Sequence, residues 1–128
     1  MVRMLNLLTA TTFLAIALLA VPSKGWALPD GVTIDVLAEY PTKVPGLEKI
    51  LFRKITIKPG ASWKLTVPDQ SVCQATKGEA QLVNHTSGKT VVFKVGDRWA
   101  TTPGDKVTLS NKGTEDHEHL FYTLVRKK

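Results

Sequence analysis

The sequence predicts an all-β domain, on three observations. Beyond residue 27, eight or nine short segments alternate apolar and polar residues. They recur at near-regular spacing, and Gly or Pro punctuates most of the gaps between them. No segment in that part makes a convincing helix, and there is neither an internal repeat nor a low-complexity tract.

The strands follow in order. "VTIDVLAEY" (Val32–Tyr40) alternates in strand fashion and stops at Pro41. "VPGLEK" reads as a loop, and "ILFRKITIKPG" as a β-branched strand ended by Pro59 and Gly60. "SWKLTV" and "SVCQAT" read as two strands around a short turn, closing on a Lys77-Gly78-Glu79 corner. In "EAQLVNHTSGKTVVFKVG" the turn formers "NHTSGK" separate two alternating runs, which is a hairpin. "RWATTPG", "KVTLSNKG" and "HLFYTLV" complete the set.

Ahead of these strands stands a different kind of segment. Arg3 gives a positive start, no charge follows until Lys24, and "GWA" places Gly25 and Ala27 at signal-peptidase spacing. Residues 1–27 are expected to be a secretory signal peptide, with the barrel domain in residues 28–128 and the protein periplasmic or secreted. The alternative is a retained anchor, since the charge-free stretch comes close to the roughly 20 residues a spanning helix needs. With cleavage after Ala27, no stable membrane span is expected.

About a hundred residues remain, enough for one core. The chain carries 17 Lys and Arg against 11 Asp and Glu, a net charge of +6. Apart from Arg126, Lys127 and Lys128 the basic residues are scattered, without the clustering and interleaved aromatics of a nucleic-acid binder. Cys73 is the only cysteine, so no intrachain disulfide can form. Its ordinary role is that of a small buried hydrophobe; a reactive thiol would need a cationic neighbour.

The order of motifs resembles a small single-domain cupin, over roughly Ile34 to Val125. "ITIKPGAS" resembles the strand and turn leading into the first cupin motif, and "KGEAQLV" the turn and strand that close it. "GKTVVFKVGDRWATTPG" resembles the intermotif hairpin and the Gly-Asp step; "NKGTEDHEHLFYTLV" resembles the last turn and strand. The resemblance implies a cupin-like double-stranded β-helix, or jelly-roll barrel, and a homodimer, which open sheet edges also invite.

Active members of that family hold a transition metal with a His-x-His pair and a Glu in the first motif and a His in the second. Counted back from Gly78, those first-motif positions fall on Leu65, Val67 and Ser71; counted back from Asn111, the second-motif position falls on Val107. Aliphatic side chains have no lone pair for a cation, so no metal or other cofactor is expected. The expectation is a non-catalytic protein binding a small molecule or a protein partner, with these four residues around a pocket. Trp63, Cys73 and Trp99 are candidates for its further lining, although core or interface filling suits the tryptophans as well.

One rival keeps a metal. His117 and His119 in "DHEH" are two apart and share a face if the segment is a strand. With Glu115 or Asp116 they could hold a divalent transition metal and support a relocated enzyme site. Two ligands fall short of what zinc takes, so a polar loop entering the last strand is the preferred reading. His85 falls in the hairpin turn, where a polar surface residue is expected.

Overall fold

The computed structural model describes residues 27–128. The expected signal peptide occupies residues almost wholly outside that range. Nine strands make up the regular structure: β1 (Val32–Pro41), β2 (Leu47–Ile57), β3 (Ser62–Thr66), β4 (Ser71–Lys77), β5 (Ala80–Asn84), β6 (Lys89–Phe93), β7 (Arg98–Ala100), β8 (Lys106–Ser110) and β9 (His117–Arg126). They form two antiparallel sheets, β1-β2-β9-β4-β7 and β3-β8-β5-β6. Among the described residues no helix is long and apolar enough to cross a membrane.

Alternation decides which side chains face between the sheets. On β4 the buried residues are Ser71, Cys73 and Ala75, every second position. On β9 they are His117, His119, Phe121 and Thr123. The expected β5–β6 hairpin forms, pairing Ala80 with Phe93 and Asn84 with Lys89. Its turn is held by Asn84, whose Oδ1 accepts hydrogen bonds from the backbone N–H of Thr86 and Ser87.

Two expectations change. The stretch read as two strands around a turn is no hairpin: β3 pairs with β8 in one sheet, β4 with β9 and β7 in the other. Pro68, which has no N–H to donate, lies in the connection where the chain crosses between sheets. The "VPGLEK" loop is also shorter than expected, because β2 already starts at Leu47.

Gly78 shows why the Lys-Gly-Glu corner requires that residue. Its φ is +63°, and a Cβ there would collide with the backbone carbonyl of Asp116 and sit 3.2 Å from the Cα of His117. The corner therefore lies directly against the entry to β9.

Across the five-stranded sheet, inward residues form rows. Val32, Ile57 and His117 make the first, and Ile34, Ile55, His119 and Ala75 the second. Arg53, Phe121, Cys73 and Trp99 make the third, and Leu51, Thr123 and Ser71 the fourth. The first two rows belong to the packed end of the barrel: Ile55 and Ile57 have no exposed surface, and Val32, Cys73, Ala80, Leu109 and Phe121 join their cluster. Asn111 closes this end, its Nδ2 donating to the carbonyls of Ile57 and Glu115 (2.8 Å each) while its Oδ1 accepts from Gly113 N–H. The third and fourth rows border a hollow.

Candidate ligand cavity

Between the third and fourth rows and the facing sheet lies a cavity of about 230 Å³. Leu65, Val67, Ser71 and Val107 all line it. Leu65 and Val107 are directly opposed on β3 and β8, while Val67 and Ser71 flank the crossover between sheets. Trp63, Cys73 and Trp99 complete the lining expected from sequence. Trp99 stacks on Phe93 with ring centroids 3.7 Å apart, and both tryptophans also pack against the core cluster. The thiol of Cys73 is pushed up to about 12 by burial, so it stays protonated and unreactive.

The histidines of "DHEH" are not in a polar loop. Both lie on β9 and are buried, His117 fully, because their register sets them beside Ile57 and Ile55. Their rings bond to each other, His117 Nε2 to His119 Nδ1 at 2.9 Å, and His119 reaches the cavity wall. Burial lowers both pKa values. For His119 burial, helped by the neighbouring His117, brings it to about 3; for His117 the backbone at Gly78 and Lys77 and the Glu118 carboxylate oppose the fall. His85 sits in the exposed turn and bonds Thr108 Oγ1 at 2.8 Å.

The donor set does not suit a metal. Among the described residues no three His, Cys, Asp or Glu side chains converge. One nitrogen of each buried histidine is already engaged with the other ring.

Sequence reasoning passed over Arg53. It lies on β2 between Leu51 and Ile55, on the inward face, and lines the cavity. The guanidinium sits 4.5 Å from the centroid of the Phe121 ring, and its Nη2 donates to Thr123 Oγ1 at 2.8 Å. Thr123 Oγ1 is in turn 2.7 Å from Ser71 Oγ, and Ser71 N–H donates to Thr101 Oγ1 at 2.8 Å. The Nε of Arg53 is buried and meets no acceptor among the described residues. Burial lowers the pKa of Arg53, with the Asp69 carboxylate opposing, yet an arginine remains a cation. Asp69 does not pair with it: that carboxylate accepts from Arg126 Nε at 2.8 Å. The signal was present in "LFRKITI", where strand alternation puts one charge in step with Leu51, Ile55 and Ile57.

Comparison with solved structures places the architecture. The cupin_2 domain of an XRE-family transcriptional regulator from Enterobacter cloacae superposes with a TM-score of 0.64 at 10% identity, covering 77% of this chain and 100% of that one. A cupin 2 conserved barrel domain protein from Salinispora arenicola gives 0.59 at 19% identity, covering 80% and 86%. A cupin superfamily protein from Desulfitobacterium hafniense gives 0.58 at 14%, covering 78% and 83%. This chain has the cupin fold. No protein-family model matches the sequence, and no curated protein matches it. In this cupin barrel, then, the interior beside β3, β4 and β8 is mostly aliphatic, with a single cation on β2.

Proposed function

We propose that this protein is an exported, non-catalytic cupin that binds a small organic ligand inside its barrel, in place of a metal. The observation that carries the reading is the cavity itself, about 230 Å³ bordered by Leu65, Val67, Val107 and two tryptophans. Such a wall favours apolar surface by about 25 cal/mol per Å² removed from water. Among the described residues its one thiol is held protonated, and the Ser71 side chain bonds the Thr123 hydroxyl instead of a base.

The volume bounds the ligand. It exceeds the roughly 150 Å³ void that accommodates benzene and falls below the roughly 300 Å³ where drug-sized pockets begin. A single ring or a short branched chain suits it. The reading includes a homodimer built on the outer face of the five-stranded sheet. There Phe52 stacks on Tyr122 at 4.3 Å, and Tyr122 and Val72 are exposed next to each other.

The test is calorimetric titration of the purified protein with a neutral probe, benzyl alcohol, beside metal analysis of the same sample. Binding that is lost in Leu65→Trp, which fills the cavity, supports the reading. Stoichiometric transition metal that disappears in a His117→Ala/His119→Ala double variant would replace it with the metal-dependent enzyme. Mass spectrometry of the exported chain, expected to begin at Leu28, and sedimentation, expected to give twice the chain mass, check export and dimerisation.

A further inference from the structure

We propose that the cavity is a carboxylate site, selective for a small monocarboxylic acid whose apolar body lies against Leu65, Val67 and Val107 and whose carboxylate meets Arg53. The inference rests on the ligand-binding reading above and specifies its ligand class.

The first argument is the cost of Arg53. A cation on the wall of a largely apolar cavity, against the Phe121 ring, loses hydration, and the protein returns little for it. Among the described residues Arg53 has no ion pair: the ion pairs join Lys49 to Glu39 and Arg126 to Asp69. The Phe121 face and the Thr123 hydroxyl are neutral partners. A guanidinium presents five N–H donors, and among the described residues one of them is answered, by Thr123 Oγ1. A carboxylate is the partner that matches its fork in charge and in shape.

The second argument is the direction of the hydroxyl chain. Thr123 Oγ1 accepts from the cationic Arg53, which polarises its own O–H toward donation. Ser71 Oγ lies 2.7 Å away, and whichever of the two hydroxyls donates in that contact, the other keeps a hydrogen for another partner. Thr101 Oγ1 accepts from Ser71 N–H and likewise keeps a hydrogen to give. Both residues line the cavity beside Arg53. The polar corner therefore holds spare donors, which is what an anion requires and what a metal cation cannot use. Asp69, the one acidic group in the lining, would repel an anion, but Arg126 neutralises it at 2.8 Å.

The third argument is the division of the lining. The polar groups cluster through hydrogen bonds at the fourth row, while Leu65 and Val107 face them from the other sheet. A ligand with one charged end and one apolar end satisfies both walls together.

The experiment compares benzoate and hexanoate with their neutral counterparts, benzyl alcohol and hexanol, by calorimetric titration of the purified protein at pH 7. Each carboxylate is expected to bind about tenfold or more tightly than its neutral counterpart, the gain of a charge-assisted bidentate contact. Arg53→Met should abolish that preference, bringing the ratio of carboxylate to neutral affinity to about one. Arg53→Lys, which keeps the charge and loses the fork, should retain part of it. Where Arg53→Met does not fold, the anion-to-neutral ratio in the unaltered protein and in Arg53→Lys decides. Equal binding of benzoate and benzyl alcohol, or a preference that survives Arg53→Met, overturns the carboxylate site and leaves the apolar cavity standing. Failure of all four compounds to bind overturns the cavity reading and this inference with it.

Discussion

The two ends of this barrel hold buried polar groups of different kinds. At the packed end, Asn111 satisfies both carbonyls above it, and His117 and His119 share one hydrogen bond as a neutral pair, with His117 Nδ1 buried and without a partner among the described residues. At the hollow end, Arg53 is a permanent cation held against the Thr123 hydroxyl and the Phe121 ring, and its buried Nε meets no acceptor among the described residues. The first group is neutral and lies within the core; the second carries a charge and lies on the cavity wall.

That comparison can be broken most sharply by truncating a side chain at each end. Ile55→Ala, in a position with no exposed surface, should cost roughly 4 kcal/mol. Val107→Ala, beside space that already exists, should cost roughly 1 kcal/mol. Equal losses in urea denaturation would show that the hollow end is as tightly coupled to stability as the packed one.

Acid tests the histidine pair. A His whose folded pKa is depressed binds its proton more weakly when folded, so the stability linked to it is complete above the unfolded pKa of 6.5 and is lost as pH falls. For His119 that window runs from 6.5 down to about 3. At pH 4 the loss should be roughly 3 kcal/mol, at about 1.4 kcal/mol per pH unit. Denaturation midpoints measured across this range should fall steadily, and His119→Leu should flatten the slope.

The smallest effect is expected where a charge is removed. Arg53→Met replaces a partly buried cation that has no ion pair among the described residues with a flexible apolar chain of similar length, so the melting temperature should stay level or rise. A drop comparable to that of Ile55→Ala would mean that Arg53 supports the fold, and the contrast between the two ends would lose its meaning.

Much of this architecture was legible in the chain. Period-two alternation fixed the inward faces, so Ser71, Cys73 and Ala75 fall on one wall as expected, and the turn formers in "NHTSGK" mark a hairpin that forms. Alternation cannot say which sheet a strand joins, because a pleat looks the same whichever partner it bonds. That is why the sequence makes β3 and β4 look like neighbours although they lie in different sheets. The histidines were misjudged for a related reason. "DHEH" is polar by composition, and only the register with Ile57 and Ile55 buries it. Arg53 was missed because a basic residue in a β-branched run reads as an exposed break, whereas its parity with Leu51 and Ile55 already placed it inside.

The position of β9 carries one last consequence. Residues 117–126 form a strand bonded on both sides, to residues 47–57 and to residues 71–77. Until that segment arrives, the larger sheet is split into two unjoined pieces, β1-β2 and β4-β7. Contacts of such long sequence separation form slowly, since loop closure precedes any gain from pairing. The larger sheet is therefore completed only by its last strand, which closes the gap between the two pieces.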